Sequence, residues 1–346
     1  MKILLYTLTA NGNFGNKLQH YATQEVLEKL AVEIKSVRFY YSNRNIQKIK
    51  NIIKKICKKR YICFSKFDRK ITYSKEYVEK GVKKRKQDAD FYIVGSDQVW
   101  NTTFPSFNPY YLLQDIPNNK RISFSSSIGT NEIDEKYKAL FVAELKKFKA
   151  ISVREYRGKE LVESLTGRQD VEVLVDPTML LTAEEWDKVS KKPKQLKTDK
   201  YLLTYFLGEL SNQRKTEIER VAKENNCEII NLLDRDSEFY ATGPSEFLYL
   251  EKHAFLVCTD SFHSSVFSIL YNRPFVVFDR EGNEKNMSSR IDTLLSTFHL
   301  INRRYNGISI TKENLEHDYT EAYKILEIER TKSETFLKKA LEDIKG

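Results

Sequence analysis

No apolar run in this 346-residue chain approaches the ~20 residues a bilayer-spanning helix needs, so no helical transmembrane segment is expected. Cysteine is scarce. Cys57, Cys63, Cys227 and Cys258 are scattered, with neither CxxC nor Cys/His metal spacing, which points to reduced thiols and no zinc site. The chain lacks GxGxxG and any glycine-rich loop ending in Lys-Ser/Thr, so no familiar nucleotide signature is present. It also lacks a GxSxG elbow, which excludes an ordinary serine hydrolase. Internal repeats and low-complexity linkers are missing. The opening "MKILLYTLTANGN" has one lysine and a short apolar run with no small-residue cleavage site behind it. It reads as a first strand rather than a signal peptide.

What is present suits a globular protein. Hydrophobic residues make up 40% and aromatics 12%, ample for cores, and the length suggests about two domains. The net charge of +10 is unevenly placed: residues 44–87 hold 17 Lys/Arg against 3 Asp/Glu. Ile46, Ile49, Ile53 and Ile56 recur there at helical spacing amid Lys48, Lys50, Lys54, Lys55, Lys58 and Lys59, the pattern of a basic amphipathic helix. Such a helix either lies on an anionic membrane surface, at ~1 kcal/mol per basic residue, or packs its isoleucines on the domain. Periodicity does not separate the two. No nucleic-acid module accompanies the charge, so nucleic acid is not an expected partner.

Short apolar strands alternate with helical segments, which predicts an α/β class with parallel sheets. Strands are expected at 2–7, 33–40, 90–96, 121–127, 150–155 and 171–178, with helices at 16–30, 134–148 and 157–165. The charged stretch "KKPKQLKTDK" (191–200) reads as a linker between a first domain, 1–190, and a second, 201–312. The second set is strand 201–207, helix 211–225, strands 228–233 and 254–260, a helix from about 263, strand 274–279 and helical patterns near 288–298. A long helix is expected within 313–346, able to pack back on the first domain. Ligands of such folds sit where strand carboxyl ends meet helix amino ends.

The polar motifs fall at those ends. "TANGNFGNKLQHYATQ" (9–24) places Asn13, Asn16 and Gln19, candidate acceptor-binding residues, around a glycine turn and a helix start, which is either an anion cradle or, more simply, a glycine turn with an Asn cap. "YIVGSDQVWN" (92–101) supplies Ser96, Asp97, Gln98, Trp100 and Asn101. Asp97 could accept a hydroxyl proton, and Trp100 could offer a face for a sugar to stack on. "RISFSSSIG" (121–129) adds Ser125 among small hydroxyls. In "ISVREYRG" (151–158), Arg154 is a fork for carboxylate or phosphate, or half of an Arg–Glu cap. "LVDPT" (174–178) reads as architecture, with Pro177 fixing the strand exit and Asp176 making a turn hydrogen bond. In "TDSFHSSVFSIL" (259–270), His263 stands near Asp260, which could orient its ring. Arg280 and Arg290 add positive charge to the second half's strand ends, suited to a small, strongly anionic donor.

The set "NFGNKLQ", "VGSDQVWN", "SFSSSIG", "SVREYRG", "DPTMLL", "TDSFHSSVFSILYNRPF" and "SRIDTLL", in this order, resembles the polysaccharide pyruvyl transferase family. The resemblance implies two facing Rossmann-like domains, similar to a GT-B glycosyltransferase. It implies transfer of pyruvate from phosphoenolpyruvate to two hydroxyls of a sugar in a cell-surface polysaccharide repeat unit, exopolysaccharide or capsule, or in its lipid-linked precursor. No cofactor beyond the phosphoenolpyruvate co-substrate is implied, and the place of work would be the cytoplasm or the inner face of the cell membrane. Under that resemblance His263 would protonate the enol carbon, and Asp97 or Asp260 would take the hydroxyl proton. Arg154, with Arg290 and Arg280, would hold the donor. Some members carry Arg two positions before the histidine, where this chain has Ser261, and Ser264 replaces the glycine that commonly follows it. Two other readings stay open: a GT-B-like glycosyltransferase using a nucleotide sugar, and a non-catalytic glycan-binding protein with Trp100, Tyr110 and Tyr111 as a sugar platform.

Overall fold

The computed structural model describes residues 1–9, 12–30, 33–40, 58–79, 82–83, 88–105, 107–281 and 288–342. The isoleucine–lysine pattern across 46–57 lies outside the described residues, and with it the choice between membrane and domain packing. Among the described residues no helix is long and apolar enough to cross a membrane.

The first sheet has eight strands: β1 (Lys2–Tyr6), β2 (Glu33–Tyr40), β3 (Tyr73–Glu79), β4 (Val82–Lys83), β5 (Phe91–Val94), β6 (Arg121–Ser126), β7 (Ala150–Val153) and β8 (Glu172–Val173). Their order is β4-β3-β2-β1-β5-β6-β7-β8, parallel except for the β3–β4 pair. The second sheet is β9 (Tyr201–Tyr205), β10 (Glu228–Asn231), β11 (Leu256–Thr259) and β12 (Phe275–Val277), parallel, in the order β10-β9-β11-β12. The longer helices are α1 (Phe14–Glu28), α2 (Lys58–Asp68), α3 (Glu135–Leu145), α4 (Tyr156–Thr166), α5 (Asn212–Glu224), α6 (Pro244–His253), α7 (Phe262–Leu270), α8 (Ser289–Thr297) and α9 (Thr320–Leu341). The α/β class, with two largely parallel sheets and a long C-terminal helix, is as expected.

Central strands are apolar on both faces because helices cover both. Ile3 and Leu5 enter a core that continues into the second half, while Leu4 and Tyr6 pack on the opposite face of the sheet. The same alternation sends Leu203 inward and Leu202 outward. The expected strand 171–178 is only Glu172–Val173, because Asp176 caps a 3₁₀ turn at Pro177–Leu180 and ends the extended run. The α6 helix went unread despite Pro244 at its first position, a favoured place for proline. Residues 191–200 form no helix or strand, and the Lys191 amide donates to the Ser245 carbonyl at 2.9 Å.

The two halves are packed together. Phe14 of α1 stacks on Phe247 of α6 at 4.5 Å between centroids and meets Tyr205 of β9 edge-on at 5.3 Å. The α9 helix straps across: Tyr323 donates to the Ile269 carbonyl, while Arg330 donates to the Met179 and Leu181 carbonyls, each at 2.9 Å. In each sheet the strand order reverses at one place, β1/β5 and β9/β11, and loops leaving those strands must diverge and open a crevice. The two reversals face one another through α1 and α7.

Phe14→Ala should cost about 3–5 kcal/mol, as for other buried phenylalanines. Urea unfolding checks it, and a midpoint within error of wild type would mean the two halves do not rely on this ring.

Candidate active site

The crevice floor is a buried charge network assembled from five strand ends. One Arg154 Nη donates to Asp176 and the other to Asp97, the latter at 3.3 Å. Asp97, just past β5, also accepts from the Asn16 side-chain amide of α1 and from the Gln98 N–H at 2.9 Å. Its φ of 66° and that of Ser125, 48°, are left-handed values uncommon outside glycine. Asp176 further accepts from Thr178 N–H at 3.0 Å, Thr178 Oγ1 at 2.7 Å and Ser96 Oγ at 3.0 Å. Burial alone would raise both carboxyls, but Arg154 and His263 hold Asp97 and Asp176 below the ordinary range, and both are ionised at neutral pH.

His263 enters from the second half, in the first turn of α7. Its Nε2 lies 3.6 Å from Asp176 Oδ2, beyond a direct hydrogen bond, and has no hydrogen-bond partner among the described residues. Its Nδ1 edge faces Gly15, where an added Cβ would overlap the imidazole. The glycine thus permits this close approach between the halves. Arg154 lies over the Phe262 ring at 4.5 Å, which fixes the guanidinium from the second half as well.

Arg290, at the start of α8, is 6% exposed and has no carboxylate within 4.0 Å among the described residues, and its Nε has no partner. Burial, then repulsion from Arg154, pushes its pKa down to about 10, with Asp97 and Glu155 opposing. A buried cation without a paired anion is costly, and a bound anion relieves that cost.

Several expected residues turn out to be engaged elsewhere. Asp260 does not orient His263: it accepts from the Leu207 and Gly208 N–H groups, both at 2.7 Å, and forms an ion pair with Arg280, whose Nε lies 3.3 Å away. Asp176, read as architecture, faces the imidazole instead. Ser261 caps α7, accepting from Ser264 N–H, and Ser264 donates to Glu251 in the core. Trp100 is fully buried, donates to the Tyr111 carbonyl at 3.0 Å, and packs edge-on against Phe141 and Phe148, so it presents no face to a sugar. Tyr111 is buried too, which removes the proposed platform. Gln19 donates to Thr7 and the Asn16 carbonyl, Ser96 to the Ser125 carbonyl, Ser125 to the Val175 carbonyl, and Asn101 to Gln98. Asn13, which caps α1, Asn16 and Gln98 remain partly exposed. Among the described residues no group of three or more His, Cys, Asp or Glu could hold a metal ion.

A family model described as polysaccharide pyruvyl transferase matches residues 13–282. No curated protein matches the chain. Among solved structures, the UDP-GlcNAc 2-epimerase of Neisseria meningitidis bound to UDP-GlcNAc is similar at 12% identity and TM-score 0.48, covering 99% of each chain. The UDP-GlcNAc 2-epimerase of Methanocaldococcus jannaschii is similar at 12% and 0.46, over 95% of this chain and 99% of that one. The trehalose-6-phosphate phosphatase N-terminal domain of Candida albicans is similar at 12% and 0.45, over 98% and 96%. These are likenesses of fold.

Gly15→Ala should displace the His263 ring from Asp176. In ¹⁵N-histidine spectra the His263 resonances should move while those of His253, His299 and His317 hold; an unmoved His263 would contradict the close approach. Glu251 yields a pH prediction. Burial, against hydrogen bonds from Ser264 and Ser268, pushes its pKa from 4.5 up to about 8. The folded state therefore keeps this proton to higher pH than the unfolded state, and stability falls as pH rises from about 4.5 to about 8. Glu251→Gln should flatten that slope in urea midpoints; an unchanged slope would show the carboxyl titrating normally.

Proposed function

The chain belongs to the polysaccharide pyruvyl transferase family, and from that premise we propose that it moves pyruvate from phosphoenolpyruvate to two hydroxyls of one saccharide, forming a ketal and releasing phosphate. The observation that carries this reading is Arg290, a buried guanidinium without a carboxylate partner among the described residues, in the same crevice as a histidine whose Nε2 has no hydrogen bond. An anion there would be held chiefly by Arg290. Arg154 has both Nη groups engaged by Asp97 and Asp176, so its part is to position those carboxylates rather than to lead in binding the donor.

The steps balance with these groups alone. His263, as imidazolium steadied by Asp176, gives a proton to the enol CH₂, and cationic character develops on the adjacent carbon. The first sugar hydroxyl bonds to that carbon and passes its proton to Asp97. The second hydroxyl bonds as the carbon–oxygen bond to phosphate breaks, and its proton leaves with inorganic phosphate. Asp97 is assigned the acceptor role over Asp260 because it shares Arg154 with Asp176, the carboxylate nearest the imidazole, whereas Asp260 is held at the Leu207 and Gly208 N–H groups. Asn13, Asn16 and Gln98 offer the exposed amides for a saccharide. General acid–base help of this kind is typically worth about 10²–10⁴-fold.

The test is calorimetric and kinetic. Phosphoenolpyruvate should bind wild type, at least roughly tenfold more weakly to Arg290→Gln, and nearly normally to His263→Ala. His263→Ala should lose phosphate release by about 10²–10⁴-fold. Turnover in D₂O should leave one deuterium in the ketal methyl group. Stabilisation by a nucleoside diphosphate with no response to phosphoenolpyruvate would overturn the proposal in favour of a nucleotide-sugar transferase.

A further inference from the structure

A groove of about 1160 Å³ opens between α2, the 191–195 connector and the loop that follows β10. It is lined by Lys59, Lys66, Lys191, Lys192, Lys194 and Arg235, each exposed and none with a carboxylate within 4.0 Å among the described residues. Asp236, Glu238 and Glu246 share the groove without closing on these cations, so its balance is positive. Burial and then Glu246 push the Cys63 thiol up, with Lys66, Lys191 and Arg60 opposing.

The floor is built rather than incidental. Arg60 is 5% exposed and donates to the Tyr240 carbonyl at 3.0 Å and the Gly12 carbonyl at 3.1 Å, with Phe14 stacked on its guanidinium at 4.6 Å. Thr242 is 1% exposed, and its hydroxyl has no partner. Through Gly12 the floor is joined to the turn that starts α1, whose Asn16 and Gly15 face the catalytic crevice. The groove therefore adjoins the crevice without sharing its residues.

We propose that this groove is a second anion site, which takes closely spaced phosphate groups carried by the saccharide acceptor, as a diphosphate or a phosphodiester chain, and so aims the sugar at His263. The proposal rests on the pyruvyl-transfer reading of the crevice. Lysine ammonium groups are compact, strongly hydrated point charges that suit charge-dense phosphate oxygens. Their spread over three chain segments matches several phosphates better than one. Phosphoenolpyruvate has its own buried cation in Arg290 and does not account for these six.

Inorganic tripolyphosphate is the probe, titrated calorimetrically at low salt into three folded proteins whose melting curves are recorded alongside. Wild type should bind it, Arg290→Gln should bind it equally, and Lys192→Glu/Lys194→Glu/Arg235→Glu should bind at least roughly tenfold more weakly. Phosphoenolpyruvate should show the opposite pattern, weakened in Arg290→Gln and unchanged in the triple variant. Thr242→Val should weaken tripolyphosphate alone. Equal tripolyphosphate binding by wild type and the triple variant, or none by wild type, overturns the groove. Loss of binding to phosphatidylglycerol vesicles in the triple variant with tripolyphosphate unaffected also overturns it, and assigns the face to a membrane. If phosphoenolpyruvate binds none of the proteins while tripolyphosphate behaves as expected, the pyruvyl reading falls and the anion groove stands.

Discussion

The missing side chain at Gly15 is the constraint on which the rest depends. A methyl there would occupy the space of the His263 ring, so the α1 turn of one half and the α7 turn of the other meet only because this position is bare. Phe14, its neighbour, continues the contact into the second half through Phe247 and Tyr205. A helix start that serves the first sheet's crevice is thereby also a structural contact for the second. The candidate site and the contact between the halves share these few residues.

Around that join the charges are arranged unequally. Arg154 is matched by two carboxylates and locked by them, a pre-organised group with little capacity left for a ligand. Arg290 is unmatched and buried, which disfavours its charged form and favours any anion that enters. The paired arginine builds the floor, while Arg290 has no carboxylate partner among the described residues. At the outer groove the same logic runs in exposed form, with lysines unmatched but solvated. Salt screening should therefore act more on the groove than on the crevice.

Much of this was readable in advance because it is local. The alternation of Ile3 and Leu5 with Leu4 and Tyr6, the cap at Asn13, and the polar residues after "YIV" and "LVCT" each depend on near neighbours in sequence. They set most of the strands, though not β3, and put Asp97, Arg154 and His263 just past strand ends. Asp176 was undervalued since its turn hydrogen bonds, which do form, sufficed to explain it; its signal was only its place at a strand exit, like that of Asp97. Trp100 was overvalued for the converse reason, as nothing nearby in sequence announced that Phe141 and Phe148 would enclose it.

From the amino-acid order alone came the element types, the ends at which polar groups collect, and the family to which the motif set points, because backbone propensity, capping and side-chain periodicity act over a few residues. Only the folded chain decided which charge meets which: Asp176 rather than Asp260 beside the imidazole, both carboxylates on Arg154, and none on Arg290 among the described residues. Coulomb interaction and hydrogen bonding fall off within a few ångströms, and those distances are set by how two sheets and an intervening helix pack. No spacing along the chain encodes them.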